Sequence, residues 1–195
     1  KNVSNCFAIL IFGLFFTVGT SGFSSLVDSG TMMIASSYTS DESDIYSAEN
    51  YMTSLENNLT NEINNIPNVY VGWNEYNYYL DPIKHDPYAL ISYLTAMEIN
   101  FDYDADTQAK IQEIFNALYT LEIESIHEVR SYSYIEYDEN GEPHRVTVYY
   151  DYYILNVTLT ANDWDSVVIP KLQAADVYDV YQLLQETHGN KPNLF

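Results

Sequence analysis

Between Lys1 and Asp28 the chain carries no charged residue, and the run Cys6–Phe16 is dense in Phe, Ile and Leu. About 22 residues of helix from Cys6 to Val27, at about 1.5 Å rise each, give roughly 33 Å, close to the ~30 Å of a bilayer's hydrocarbon layer. The sequence therefore predicts a transmembrane anchor over residues 1–35. Lys1 precedes it and the acidic excess follows it. The positive-inside rule then predicts a single-pass protein of the cell membrane, with everything after about Asp28 extracytoplasmic. Two other readings of the segment stand beside this one. It also fits a signal peptide, with Gly19-Thr20-Ser21 as the small-residue cleavage site, or the buried core helix of a soluble protein. Met32, Met33 and Ile34 extend the apolar character past that site and favour retention.

The 195 residues suit one domain plus the anchor, and 47% apolar content is enough for a packed core. The chain starts at Lys1 rather than Met and stops at Phe195, as a piece of a longer protein would. Against 28 acidic residues stand 7 basic ones, a formal charge of −21. Phosphate backbones are bound by Lys and Arg that displace counterions, so nucleic acid is excluded as a partner, and anionic lipid head groups are repelled as well. Cations and basic proteins are electrostatically easier partners, and solubility is the simplest reason for such acidity. The lone Cys6, inside the apolar run, excludes a disulfide framework and a thiolate zinc site. The 20 tyrosines suit half-buried sheets or binding surfaces, since the ring packs while the hydroxyl finds water.

After the anchor, residues 36–68 read as a Ser/Thr/acidic linker and a stalk helix. Ile45, Met52, Leu55, Leu59, Ile63 and Ile66 recur at helical spacing, and Pro67 ends the run. Residues 69–195 read as an α+β extracytoplasmic domain. Val69–Leu80 is aromatic and extended. Asp86 as N-cap and Pro87 as first helical residue open a helix to about Ile99. A second, from about Asp106 or Thr107, pairs with it as an antiparallel helical hairpin. The period then changes to two over Ile123–Asp138 and Arg145–Thr160, around an Asn140-Gly141 turn. A last helix spans about Asp165–His188, with Gly189 placed to stop it. The expected fold class is α+β, with an N-terminal transmembrane helix and then helices packed on an antiparallel β-hairpin or small sheet. The outer half of the hairpin, Tyr132–Tyr150, has a thin apolar face and is expected to project as a Tyr-rich ribbon.

The candidate chemistry is sparse. His85, His127, His144 and His188 fall before a helix, on a strand, near a hairpin tip and at a helix end, with no metal spacing and no nucleophile beside them. Asp102, Asp104 and Asp106, with Glu113, match the carboxylate spacing of a calcium loop, but Thr107 occupies the position that needs Gly. Capping of the following helix explains the same residues. Paired carboxylates for glycan cleavage are available anywhere in so acidic a chain, and their presence alone assigns nothing. No catalytic, cofactor-binding or metal residue is assigned, and no cofactor is implied.

HDPYALISYLTAM (His85–Met97), IFNALYTLEIE, YYILNVTLT (Tyr152–Thr160) and the terminal YQLLQETHGNKPNLF occur in that order behind the anchor. Together they resemble the membrane-proximal region of the Gram-positive conjugative-element (mobile-element) cell-wall hydrolase family, which carries a C-terminal NlpC-type cysteine peptidase domain. The resemblance spans nearly the whole chain. Its most specific parts are the His-Asp-Pro-Tyr helix start and the Gly-Asn-x-Pro-x-Leu-Phe ending. It implies a non-catalytic anchoring and interaction module that positions peptidoglycan opening at a DNA-transfer channel, with other transfer-channel proteins as partners and peptidoglycan near by. The peptidase's Cys–His pair would lie beyond Phe195, so no catalytic residue carries over. A scaffold of the conjugation machinery without an enzyme, and a glycan-cleaving enzyme using acidic residues, are the alternatives.

Overall fold

The computed structural model describes residues 36–195. Helix α1 (Glu42–Val69) buries Ile45, Ala48, Met52, Leu59, Ile63 and Ile66. This is the stripe that its helical periodicity predicts, with Ala48 added and Leu55 only partly buried. Pro67 does not end it at Ile66. A proline in the last turn removes a single N–H, and Tyr70 still donates to the Ile66 carbonyl at 2.8 Å. Strand β1 (Glu75–Leu80) follows.

Helix α2 (Pro87–Glu98) is capped by Asp86, whose Oδ1 accepts from Tyr88 N–H at 2.9 Å. Every residue from Ala89 to Ala96 is buried, Ser92 and Thr95 included, so this helix is enclosed on all sides and forms the centre of the core. Its encirclement overrides the expected helical hairpin: α2 packs chiefly on the last helix, and α3 (Ala105–Leu118) packs chiefly on α1. The α2–α3 connection turns at Ile99, with φ 63°, where Asn100 N–H donates to the Glu98 carbonyl at 2.6 Å in a γ-turn.

Helix α3 runs into strand β2 (Tyr119–Tyr137) without a loop. Asn162 makes this possible by donating from its backbone to the Leu118 carbonyl at 2.7 Å and from Nδ2 to the Ala117 carbonyl at 2.8 Å. Strand β3 (Pro143–Ala161) returns antiparallel to β2 over its whole length, Tyr119↔Ala161 to Tyr137↔Pro143. Gly141, at φ 81°, donates to the Asp138 carbonyl at 2.9 Å, and Asp138 N–H donates to the Glu142 carbonyl at 3.0 Å. The Asn-Gly signal thus makes a three-residue turn with a glycine bulge, in which only the glycine has positive φ.

The expected C-terminal helix is two helices, α4 (Trp164–Ala174) and α5 (Tyr178–Thr187). Asp176 takes φ 59°, its N–H donates to Gln173, and Val177 N–H donates to Leu172. This is the Schellman arrangement that usually selects glycine, so the aspartate hides the break from the sequence. His188, Gly189 and Asn190 then close α5 with three positive φ values.

The expected fold class needs correction on two counts. Among the described residues no helix is long and apolar enough to cross a membrane. The span placed over residues 1–35, with Cys6 in it, lies outside those residues. The sheet, moreover, is mixed rather than antiparallel, in the order β1-β3-β2, with β1 parallel to β3. Polar side chains at both ends of β1 fix that pairing. Asn74 Oδ1 accepts from Tyr153 N–H at 2.8 Å, and Asp81 Oδ2 accepts from Ala161 N–H at 2.9 Å. Such partners lie some eighty positions apart in sequence, beyond any local pattern.

Candidate functional site

β1 is short, and the sheet has three strands only near its base. Its register stops at Glu75↔Ile154. From His127↔Tyr153 to Tyr137↔Pro143 the β2–β3 pair continues alone. At about 3.3 Å per residue this ribbon extends roughly 35 Å. Near the base, Leu155, Val157 and Leu159 face the helices and are buried. Because side chains alternate, the even positions of both strands share the opposite, outward face.

That outward face carries a connected row of aromatic rings. Tyr152, Tyr150, Tyr132 and Tyr134 follow one another with ring centroids 6.4, 6.1 and 6.3 Å apart. Val146 and Val148 sit opposite Tyr134 and Tyr132. At the inner end the Arg130 guanidinium lies 3.4 Å above the centre of the Tyr152 ring and bonds Glu128 at 2.9 Å. Tyr152 in turn donates to Glu75 at 3.1 Å. Tyr132 is 56% exposed and Tyr134 45%, so among the described residues nothing covers these rings. A two-stranded ribbon alone is marginal in water, and an uncovered aromatic row marks a surface that another molecule can complete.

The four histidines do not meet. His127 stacks on Tyr153, with ring centres 4.8 Å apart, and bonds Asp151 at 2.8 Å. His144 bonds Asp138 at the ribbon tip. His188 stacks on Tyr88 at 4.3 Å.

His85 is different, and nothing in its local sequence marks it. Its side chain is 4% exposed and sits between Glu49 and Glu56, which lie two turns apart on one side of α1. Nε2 meets Glu49 at 2.8 Å. Nδ1 lies 3.1 Å from Glu56, close enough for an ion pair but badly aligned for a hydrogen bond. Burial alone pulls the imidazole's pKa down, but the two carboxylates outweigh it and push the value up to about 9. Glu56 also accepts from the Tyr119 hydroxyl at 2.8 Å. Burial, then this carboxylate, hold that phenol well above its ordinary range. The cluster ties the loop before α2 to α1 and to the start of β2. A charged imidazole so enclosed offers no lone pair to a metal or a substrate.

The acidic run also resolves into local structure. Asp104 Oδ1 accepts from Asp106 N–H at 2.9 Å and Thr107 N–H at 3.0 Å, and the Thr107 bond leads in holding its carboxyl below the usual range. Glu113 pairs with Lys171. Among the described residues no group of three metal-ligating side chains comes together. Shallow clefts among the described residues include one of about 250 Å³ where Ile63 of α1 faces Leu80 and Leu159, and one of about 290 Å³ beside Tyr181.

The two most specific sequence motifs meet in space. Tyr88, from His-Asp-Pro-Tyr, accepts at its hydroxyl from Leu194 N–H at 3.2 Å and Phe195 N–H at 3.4 Å. Its ring contacts Phe195 edge-on at 5.3 Å. Tyr38 donates its N–H to Gly189 at 3.1 Å, so residues 36–40, the start of α2 and the ending form one clasp. No family model, curated protein or solved structure matches the chain.

Proposed function

We propose that this domain is a non-catalytic interaction module of a conjugation-associated peptidoglycan hydrolase. It works outside the cytoplasm and helps to position wall opening at a DNA-transfer channel. The observation that carries the interaction half is the ribbon: among the described residues its outer pairs have no third strand, and Tyr132, Tyr134 and Tyr150 of its aromatic row are exposed. The conjugation half rests on the sequence resemblance, whose two signature motifs both serve the clasp. Acidity supports a protein partner over nucleic acid.

The test is a mating assay with a shortened ribbon. Replacing Ser131–Tyr149 by Asn-Gly joins the cross-strand partners Arg130 and Tyr150 through a tight turn. Transfer is expected to fall while the protein still accumulates. Undiminished transfer removes the proposal. Clearing of purified cell walls by residues 36–195 would favour the glycan-cleaving alternative instead.

A further inference from the structure

Among the described residues β2 is an edge strand along its whole length, since the sheet order ends on it. Its hydrogen-bonding phase is set at both ends. Leu118 accepts from Asn162 at the base, and Asp138 donates to Glu142 at the tip. Both are even positions. By the alternation of an antiparallel ladder, even residues of β2 bond to β3, while odd ones, including Val129, Ser131 and Ser133, aim N–H and C=O outward. Natural edges are usually blunted by proline, lysine, bulges or inward-pointing charge. Within β2 there is no proline and no lysine. Its charged groups Glu122, Glu124, Glu128, Arg130 and Glu136 are all even, hence all on the tyrosine-bearing face, and Arg130 is already engaged with Glu128 and Tyr152.

We propose that the outer edge of β2 accepts an added strand from a basic partner protein, a segment with Lys or Arg at alternate positions. This names the partner of the interaction surface above and rests on that reading. In such a complex the backbone bonds go to the odd residues of β2. The partner's cations stand opposite Glu122, Glu124 and Glu128, and further out the same face of the added strand lays its cations over Tyr132 and Tyr134, as Arg130 lies over Tyr152.

Charge complementarity selects this occupant. A second copy of a chain with charge −21 is repelled at long range, and in parallel register it sets each of these glutamates against itself. A polysaccharide needs a common stacking plane, whereas neighbouring rings of the row are inclined by 30°, 53° and 74°. The outer edge of β3 is a poorer acceptor, because β1 occupies its inner part.

The probe is a short capped peptide in which Lys alternates with Val and Thr, titrated into the 195-residue chain by fluorescence anisotropy and by NMR amide exchange. Slowed exchange is expected at Val129, Ser131 and Ser133. Ser131→Pro deletes one outward N–H and no β2–β3 bond, so binding should be lost while the thermal transition is kept. Reversing charge with Glu124→Lys and Glu128→Lys should weaken binding about tenfold and create affinity for the matching peptide that alternates Glu. This second arm decides the question if the proline variant fails to fold.

Equal binding of a peptide with the same lysines in one block would reduce the effect to charge alone and overturn the proposal. So would self-association of the chain that Ser131→Pro abolishes, because it would give the edge to a second copy. Loss of mating on shortening the ribbon, with no peptide addition, sinks this inference and leaves the interaction reading in place. Peptide addition with undiminished mating does the reverse.

Discussion

Gly189 sits under the ring of Tyr38, and replacing it by alanine tests the clasp directly. A Cβ built there would lie 2.3, 2.4 and 2.5 Å from three ring carbons, whereas carbon atoms in contact settle at about 3.5–4.0 Å. The ring must therefore retreat by more than about 1 Å. It is held against doing so: Tyr38 is 3% exposed, its hydroxyl lies 2.9 Å from Ser92 Oγ, and it donates to the Tyr88 carbonyl at 3.3 Å. Forced overpacking costs about 1–3 kcal/mol, and alanine at φ 55° adds roughly 1 kcal/mol. Gly189→Ala should then lower the unfolding free energy by about 2–4 kcal/mol in a urea titration. In a Tyr38→Ala background the clash is gone and only the backbone cost remains, about 1 kcal/mol. If alanine at 189 costs the same in both backgrounds, ring contact is not what fixes glycine at this position.

Three further outcomes follow from the same geometry. His85 has its pKa raised to about 9, so the stability it contributes is whole below its ordinary value near 6.5 and is lost as pH climbs through about 9. The stability difference between wild type and His85→Gln, roughly 3 kcal/mol at about pH 6, should shrink over that window, and parallel pH curves would remove the ion-pair account. Asp176→Gly should raise stability by about 1 kcal/mol, since glycine takes φ 59° without strain; a loss on thermal melting would refute it. Asp86→Ala should cost about 1 kcal/mol by leaving Tyr88 N–H uncapped, and an unchanged melting temperature would contradict the cap.

What the sequence disclosed was local. The Asp86-Pro87 start, the stripe of α1 and the hairpin around Asn140-Gly141 each rest on residues within a turn or two of one another, and all three are present. What it concealed depended on partners far along the chain. The parallel placement of β1 hangs on Asn74 and Asp81 reaching β3. The break between α4 and α5 was masked because aspartate holds a position where glycine would have announced it. At the candidate site the Tyr-rich ribbon was legible from composition and alternation. Its free outer edge was not, because edge status depends on which strand β3 pairs with on its other side. His85 read as an ordinary residue before a helix. Only the fold brings Glu49 and Glu56, some thirty positions upstream, around its ring.

The central claim is that the outer ribbon serves a partner rather than the fold. The most direct measurement is the unfolding free energy of the chain with Ser131–Tyr149 replaced by Asn-Gly, compared with the intact chain by urea titration. The excised residues bury no core side chain, and the helical core touches only the base of the sheet. The account predicts agreement within about 1 kcal/mol, with a smaller urea slope from the shorter chain. A loss of more than about 3 kcal/mol would make the ribbon part of the stabilising structure and contradict the claim.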